Sequence, residues 1–243
     1  MRDSPSRALL LLHGFLGSPE DWEPIIAALP QYRCIAPAIP GDACSHGEII
    51  DSLLALLDSL GIERCAVLGY SMGGRVAMQL ALRSPQRVGL LIAESANPGI
   101  PDVADRAARV AQDDALADRL AESDLAEFLA DWYAQPLFAT LSHTQKEALI
   151  QKRSQGDPAS LAATLRALSV GRQENLWPRL PRLECPVHFI AGALDSRYRE
   201  IAESAARQAH IIEGAGHNVH LEAPGDFCRV LTALLEKEWP ASV

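Results

Sequence analysis

Val67-Leu68-Gly69-Tyr70-Ser71-Met72-Gly73-Gly74-Arg75 is the stretch that decides the fold. It reads as an apolar strand, a sharp turn with a serine at its apex, and a helix start. Residues 64–68 before it form a short apolar run. Val76-Ala77-Met78-Gln79-Leu80-Ala81-Leu82 after it suits a buried helix, which Ser84-Pro85 ends. A serine in so tight a turn sits in strained backbone, and glycine two residues away on either side lets the chain pass. The helix beginning at Met72 aims its free N–H groups and positive dipole end at the serine oxygen. Together these features predict an activated serine.

Upstream, Ala8-Leu9-Leu10-Leu11-Leu12 is continuously apolar, as expected of a strand buried on both faces. His13-Gly14-Phe15-Leu16-Gly17 follows it. Residues 18–29 read as a helix with Ser18 as N-cap, Pro19 at its first position and Glu20 and Asp21 in its first turn. Residues 32–38 read as a strand and Pro40-Gly41-Asp42-Ala43-Cys44-Ser45 as a loop. A helix then carries Ile49, Leu53, Leu56, Leu57 and Leu60 on one face, with Gly61 just past its end. Beyond the serine turn, residues 88–94 read as another strand. This alternation predicts a mostly parallel α/β sheet of about six or seven strands, with helices on both faces.

The alternation breaks after residue 94. Residues 95–180 hold no convincing strand and are rich in Ala, Leu, Arg, Asp and Glu at helical spacing. Candidate helices span 102–111, 115–132, 144–153 and 159–168. Alternation resumes with a strand over 186–192, a helix over 197–207, a strand over 209–213 and a last helix from about 224 to 239. The expected organisation is a core of residues 1–94 and 181–243 with a helical insertion at 95–180, either a lid or a decoration without a role in the site.

Composition narrows the function classes. The net charge of −9 and the lack of a basic stripe argue against a nucleic-acid partner. They also disfavour an anionic substrate unless arginines gather locally. Five cysteines (Cys34, Cys44, Cys65, Cys185 and Cys228) show no metal-ligand spacing, and read as buried apolar residues of a reducing compartment. No leader-like or membrane-spanning stretch is visible, so a cytoplasmic protein is expected. No metal or cofactor is implied, and oligomeric state is not legible.

A serine nucleophile needs a base, and the base an orienting carboxylate. Asp195 follows a strand in a G-x-x-D pattern, and His217 sits in Gly214-Ala215-Gly216-His217 after the last strand. In a parallel sheet the loops leaving the strands' C-terminal ends share one edge, so Ser71, Asp195 and His217 are brought together there. The rival acids are Asp42 and Glu94, and Glu94 is close enough to the turn to line the pocket. His220 reads as structural; His46, His143, His188 and His210 lack a matching context. Arg75, one helical turn beyond Ser71, opposes the helix dipole. It therefore needs an anionic partner, either a structural carboxylate or a bound substrate acid. Arg106, Arg109 and Arg153 come from the helical insertion and would suit a polycarboxylate if they converge.

The strand–serine turn–helix and the Ser, Asp, His order resemble the α/β-hydrolase fold. That likeness implies an oxyanion hole from the backbone N–H groups of Phe15 and Met72, with His13 holding its loop. More specifically, the chain from Leu9 onward resembles the menaquinone-pathway 2-succinyl-6-hydroxy-2,4-cyclohexadiene-1-carboxylate (SHCHC) synthases. The resemblance rests on residues 69–78, on Glu94 through Pro98-Gly99, and on Arg106, Arg109 and Arg153. It also rests on Asp131-Trp132-Tyr133-Ala134-Gln135-Pro136-Leu137-Phe138-Ala139 and on Gly216-His217-Asn218-Val219-His220. It implies a lyase that eliminates pyruvate from an enolpyruvyl ether of a cyclohexene carboxylate, with the Ser71–His217–Asp195 triad as base. It further implies substrate contacts from Tyr70, Arg75, Arg109, Trp132 and Arg153. Pro40-Gly41-Asp42-Ala43 departs from the Pro-Gly-His-Gly frequent in relatives on this fold. A serine hydrolase of esters or C–C bonds is the alternative; a silent binding protein on the same fold is a third, which the intact triad opposes.

Overall fold

The structure, a computed structural model, describes residues 7–39, 45–205 and 208–239. The loop at 40–44, with Asp42 and Cys44, lies outside the described residues, as does the end of the helix expected to reach residue 207. β1 (Ala8–Leu12) is wholly buried because both faces are covered. Leu10 and Leu12 point to one face of the sheet, Leu9 and Leu11 to the other. Each buried leucine contributes about 2 kcal/mol of transfer free energy.

The segment expected as one helix over 18–29 is instead a 3-10 turn (Pro19–Trp22) followed by a single α turn, α1 (Glu23–Ala27). Pro24 brings no N–H to the ladder, which shortens the helix. β2 (Arg33–Ile35) is also shorter than expected, because Pro37 follows on an edge strand. α2 (His46–Ser59) starts on a Ser45 side chain that accepts the Glu48 N–H. β3 (Cys65–Tyr70) leads through Ser71 into α3 (Met72–Arg83), and β4 (Val88–Glu94) lies beside β3.

Four α-helices separate β4 from the next strand: α4 (Val103–Glu122), α5 (Leu125–Ala134), α6 (His143–Arg153) and α7 (Pro158–Ala167). The break expected near residue 113 is absent and one occurs at Ser123–Asp124. No breaker stands at 112–114. Asp124, by contrast, accepts the N–H groups of Ala126 and Glu127 and so starts a new helix. These helices build their own apolar cluster around Leu120, Phe128, Leu129, Tyr133 and Leu149, which Leu16 joins from the sheet side.

β5 (Val187–Gly192), α8 (Ser196–Ala205), β6 (Ala209–Ile212), a short α9 (Val219–Glu222) missed in the sequence, and α10 (Pro224–Glu238) complete the chain. Among the described residues the sheet is six-stranded and parallel, in the order β2-β1-β3-β4-β5-β6. α2, α3 and α8 cover one face; α1, α9 and α10 cover the other. The carboxyl ends of β3, β4 and β5 therefore open at one edge beneath α4–α7. Among the described residues no helix is long and apolar enough to cross a membrane, and four cysteines are free.

Candidate active site

Ser71 sits between β3 and α3 at φ 49°, ψ −108°, a backbone state that non-glycine residues rarely hold. Two hydrogen bonds fix it: the Ser71 N–H donates to Glu94 O at 2.8 Å, and the Arg75 N–H to Ser71 O at 3.1 Å. The flanking glycines are needed for close approach. A Cβ on Gly69 would overlap the Gly73 carbonyl, and one on Gly73 would overlap Leu12 O.

His217 is buried and donates from Nδ1 to Asp195 Oδ2 at 2.7 Å; its Nε2 lies 3.4 Å from Ser71 Oγ. Asp195 Oδ1 accepts the Tyr198 N–H at 3.2 Å, so the carboxylate caps α8 while orienting the imidazole. Glu222 accepts the N–H groups of Gly216 (2.8 Å) and Asn218 (3.0 Å), which braces the histidine loop from both sides. The tautomer this fixes leaves Nε2 free to take the serine proton.

Phe15, Tyr70, Ser71, Met72, Arg75, Arg109, Trp132, Arg153 and His217 line one cavity between the sheet edge and α4–α7. Asp195 lies directly behind His217. The Phe15 and Met72 N–H groups have no hydrogen-bond partner among the described residues. His13 holds this loop: its Nδ1 donates to Gly14 O at 2.8 Å and its Nε2 accepts the Ile39 N–H at 3.1 Å. Burial pushes its pKa down, which keeps the ring neutral. Trp132 meets Phe15 edge-on at 5.3 Å, and Phe138 meets His217 edge-on at 6.1 Å, giving the cavity an aromatic roof. Burial, and next the Glu94 carboxylate, hold the Tyr70 phenol well above its ordinary pKa.

The three arginines differ in their partners. Arg109 Nε donates to Asp113 Oδ1 at 2.8 Å. Arg153 donates to the Tyr133 hydroxyl and to Asp21 Oδ2 at 3.2 Å. Burial raises the Asp21 pKa, but Arg153, Lys152 and the Ser18 N–H outweigh it and hold the carboxyl below its ordinary value. Among the described residues Arg75's side chain donates only to a neutral amide, Gln173 Oε1, at 3.2 Å, and burial brings its pKa down to about 10.

Two sequence expectations need correction. Glu94 does not reach the cavity. It shares a face of β4 with Leu90 and Ile92, and on that face its carboxylate is taken up by His220. There its fully buried carboxylate accepts the His220 backbone N–H at 3.0 Å and the His220 Nδ1–H at 2.8–2.9 Å. Arg106, one turn before Arg109 on α4, is not part of the cavity wall. The sequence reading missed Asn97, Asp113, Ser169 and Tyr198, which line the cavity, and Gln173 and Asp21 behind it. Asp113 was findable four residues after Arg109, and Tyr198 three after Asp195. Gln173 carries no local signal. No group of three or more metal-binding side chains occurs among the described residues.

A profile of the Alpha/beta hydrolase family matches residues 9–230. The 2-succinyl-6-hydroxy-2,4-cyclohexadiene-1-carboxylate synthase of Serratia proteamaculans (strain 568) is 38% identical over 235 residues, covering 93% of this chain and 92% of that protein. The enzyme of the same name from Klebsiella pneumoniae (strain 342) is 37% identical over 234 residues, covering 93% of each. The solved structure of MenH from S. aureus superposes with a TM-score of 0.92 at 29% identity, covering 98% of this chain and 96% of that one.

Proposed function

The chain belongs to the SHCHC synthase family of α/β hydrolases, and from that premise we propose how its residues carry out the lyase reaction. The substrate is 2-succinyl-5-enolpyruvyl-6-hydroxy-3-cyclohexene-1-carboxylate, and the products are SHCHC and pyruvate. Turning a 3-ene into a 2,4-diene requires loss of the proton on C2, which is acidified by the neighbouring succinyl ketone. The C2–H electrons form C2=C3, the old double bond moves to C4=C5, and the C5–O bond breaks. The departing enolpyruvate takes a proton and becomes pyruvate.

Ser71 is the base. His217 Nε2 draws off its hydroxyl proton, Asp195 holds the imidazole, and the serine oxygen removes the C2 proton without forming an acyl bond. The Phe15 and Met72 N–H groups receive the enolate charge that develops on the succinyl carbonyl. Arg75, Arg109 and Arg153 hold the substrate's carboxylates, with Tyr70 and Trp132 packing beside the ring. Residues 95–180 serve as the lid that brings two of those arginines to the site, over a core of 1–94 and 181–243. A polycarboxylate acid of this kind suits a cytoplasmic enzyme.

The observation that carries this reading is the meeting of the His217–Ser71 pair with three arginines in one cavity. A neutral-ester hydrolase has no use for those cations. Incubation with the enolpyruvyl ether while following pyruvate tests it; trapping of an acyl group on Ser71 would instead favour the hydrolase alternative.

A further inference from the structure

We propose that Gln173 is the residue that sets the site's charge: it fixes Arg75 in place with a neutral amide and so leaves that guanidinium's positive charge free for a substrate carboxylate. The inference rests on the reaction proposed above. Its basis is the contrast between the three cavity arginines. Arg109 is matched by Asp113 and Arg153 by Asp21. Arg75 has no carboxylate within ion-pair distance among the described residues. Its side chain donates instead to Gln173 Oε1 at 3.2 Å.

Gln173 is itself held. It is 2% exposed, and its Nε2 donates to the Asn97 carbonyl at 3.3 Å, just past the end of β4. The amide is thereby oriented with its oxygen toward Arg75 and its nitrogen toward the sheet edge. Four residues earlier on the same connector, Ser169 Oγ donates to Asp113 Oδ2 at 2.7 Å. One short turn after α7 therefore positions two cavity arginines, one through a carboxylate and one through an amide.

The chemistry makes that difference matter. A cation surrounded by protein is poorly solvated, and a buried carboxylate beside it would compete with the substrate's carboxylate and weaken its hold. An amide satisfies the guanidinium's hydrogen bonding without cancelling its charge. Gln173 acts through Arg75 and is a positioning residue.

The test compares Gln173→Glu with Gln173→Met in pyruvate release from the enolpyruvyl ether. Gln173→Glu keeps the shape and a hydrogen bond but adds a competing anion. It should lower kcat/KM by about 10- to 150-fold, mostly through KM, the range of one charge-assisted bond. Its melting temperature should be no lower than wild type's. Gln173→Met loses the tether but adds no charge, and should lose less. In an Arg75→Met background, Gln173→Glu should cost no more than Gln173→Met. Glu equal to or milder than Met, a loss confined to kcat, or an undiminished Glu penalty without Arg75 each overturn the inference. A wild-type protein that releases no pyruvate would sink the reaction instead. In that case, titration of the Arg75 and Arg75→Met proteins with succinate still reads whether Gln173→Glu weakens anion binding through Arg75.

Discussion

Glu94 and His220 form a buried polar pair beside the candidate site, and removing one partner should be costly. Glu94 is fully buried and His220 is 5% exposed. The carboxylate accepts the backbone N–H and the Nδ1–H of His220. Trp22 stacks on the imidazole at 4.4 Å, and Tyr70 meets it edge-on at 5.0 Å, so aromatic rings pack against the pair. Glu94→Ala leaves two buried donors unpaired and opens a void. Loss of a buried partner costs about 3–5 kcal/mol. For a chain of this size that lowers Tm by roughly 6–20 °C. Glu94→Gln keeps an acceptor and should cost about 1–2 kcal/mol. Urea unfolding followed by circular dichroism measures both. A Glu94, His220 double-mutant cycle should return a coupling of about 2 kcal/mol or more. A cost below about 1 kcal/mol for Glu94→Ala, with no coupling, would refute the reasoning. So would a His220→Ala variant that folds as wild type yet loses turnover as fully as a Ser71 variant.

Ser71→Ala, His217→Ala and Asp195→Asn should each lower kcat by about 10³-fold or more, and the losses should not add, because the three act as a unit; steady-state pyruvate release from single and double variants checks this. His46 should make the fold acid-sensitive. Burial, and then the Arg75 charge, bring its pKa from 6.5 down to about 4. The unfolded chain therefore binds the extra proton between those values, so stability is full above pH 6.5 and falls as pH drops toward 4. The loss amounts to about 3 kcal/mol, and unfolding of a His46→Gln variant across that range should show a flatter profile.

The elements that bring Ser71, Asp195 and His217 together were legible because their signals are local. The glycines of Gly69-x-Ser71-x-Gly73 answer to contacts within the turn itself, and Asp195 and His217 sit on loops whose position follows from strand order. Arg75 was legible by helix geometry. Its partner was not, since Gln173 lies 98 residues away and reaches it only through the packing of the connector after α7. The same holds for Asp21 and Arg153, which meet across 132 residues. Glu94 was misplaced because nearness in sequence to the serine turn says nothing about its partner: His220, 126 residues away, takes up its carboxylate. Helix ends in 95–180 were misread where a side-chain cap, Asp124, outweighed composition.

The most direct test of the central claim is a single-turnover reaction of the protein with 2-succinyl-5-enolpyruvyl-6-hydroxy-3-cyclohexene-1-carboxylate, following pyruvate and the diene product together. The account predicts one pyruvate for each diene formed, no acyl group on Ser71 by intact-protein mass, and loss of both products in Ser71→Ala. Folded protein that releases no pyruvate, or a Ser71 acyl-enzyme that forms and decays at the rate of turnover, would contradict it.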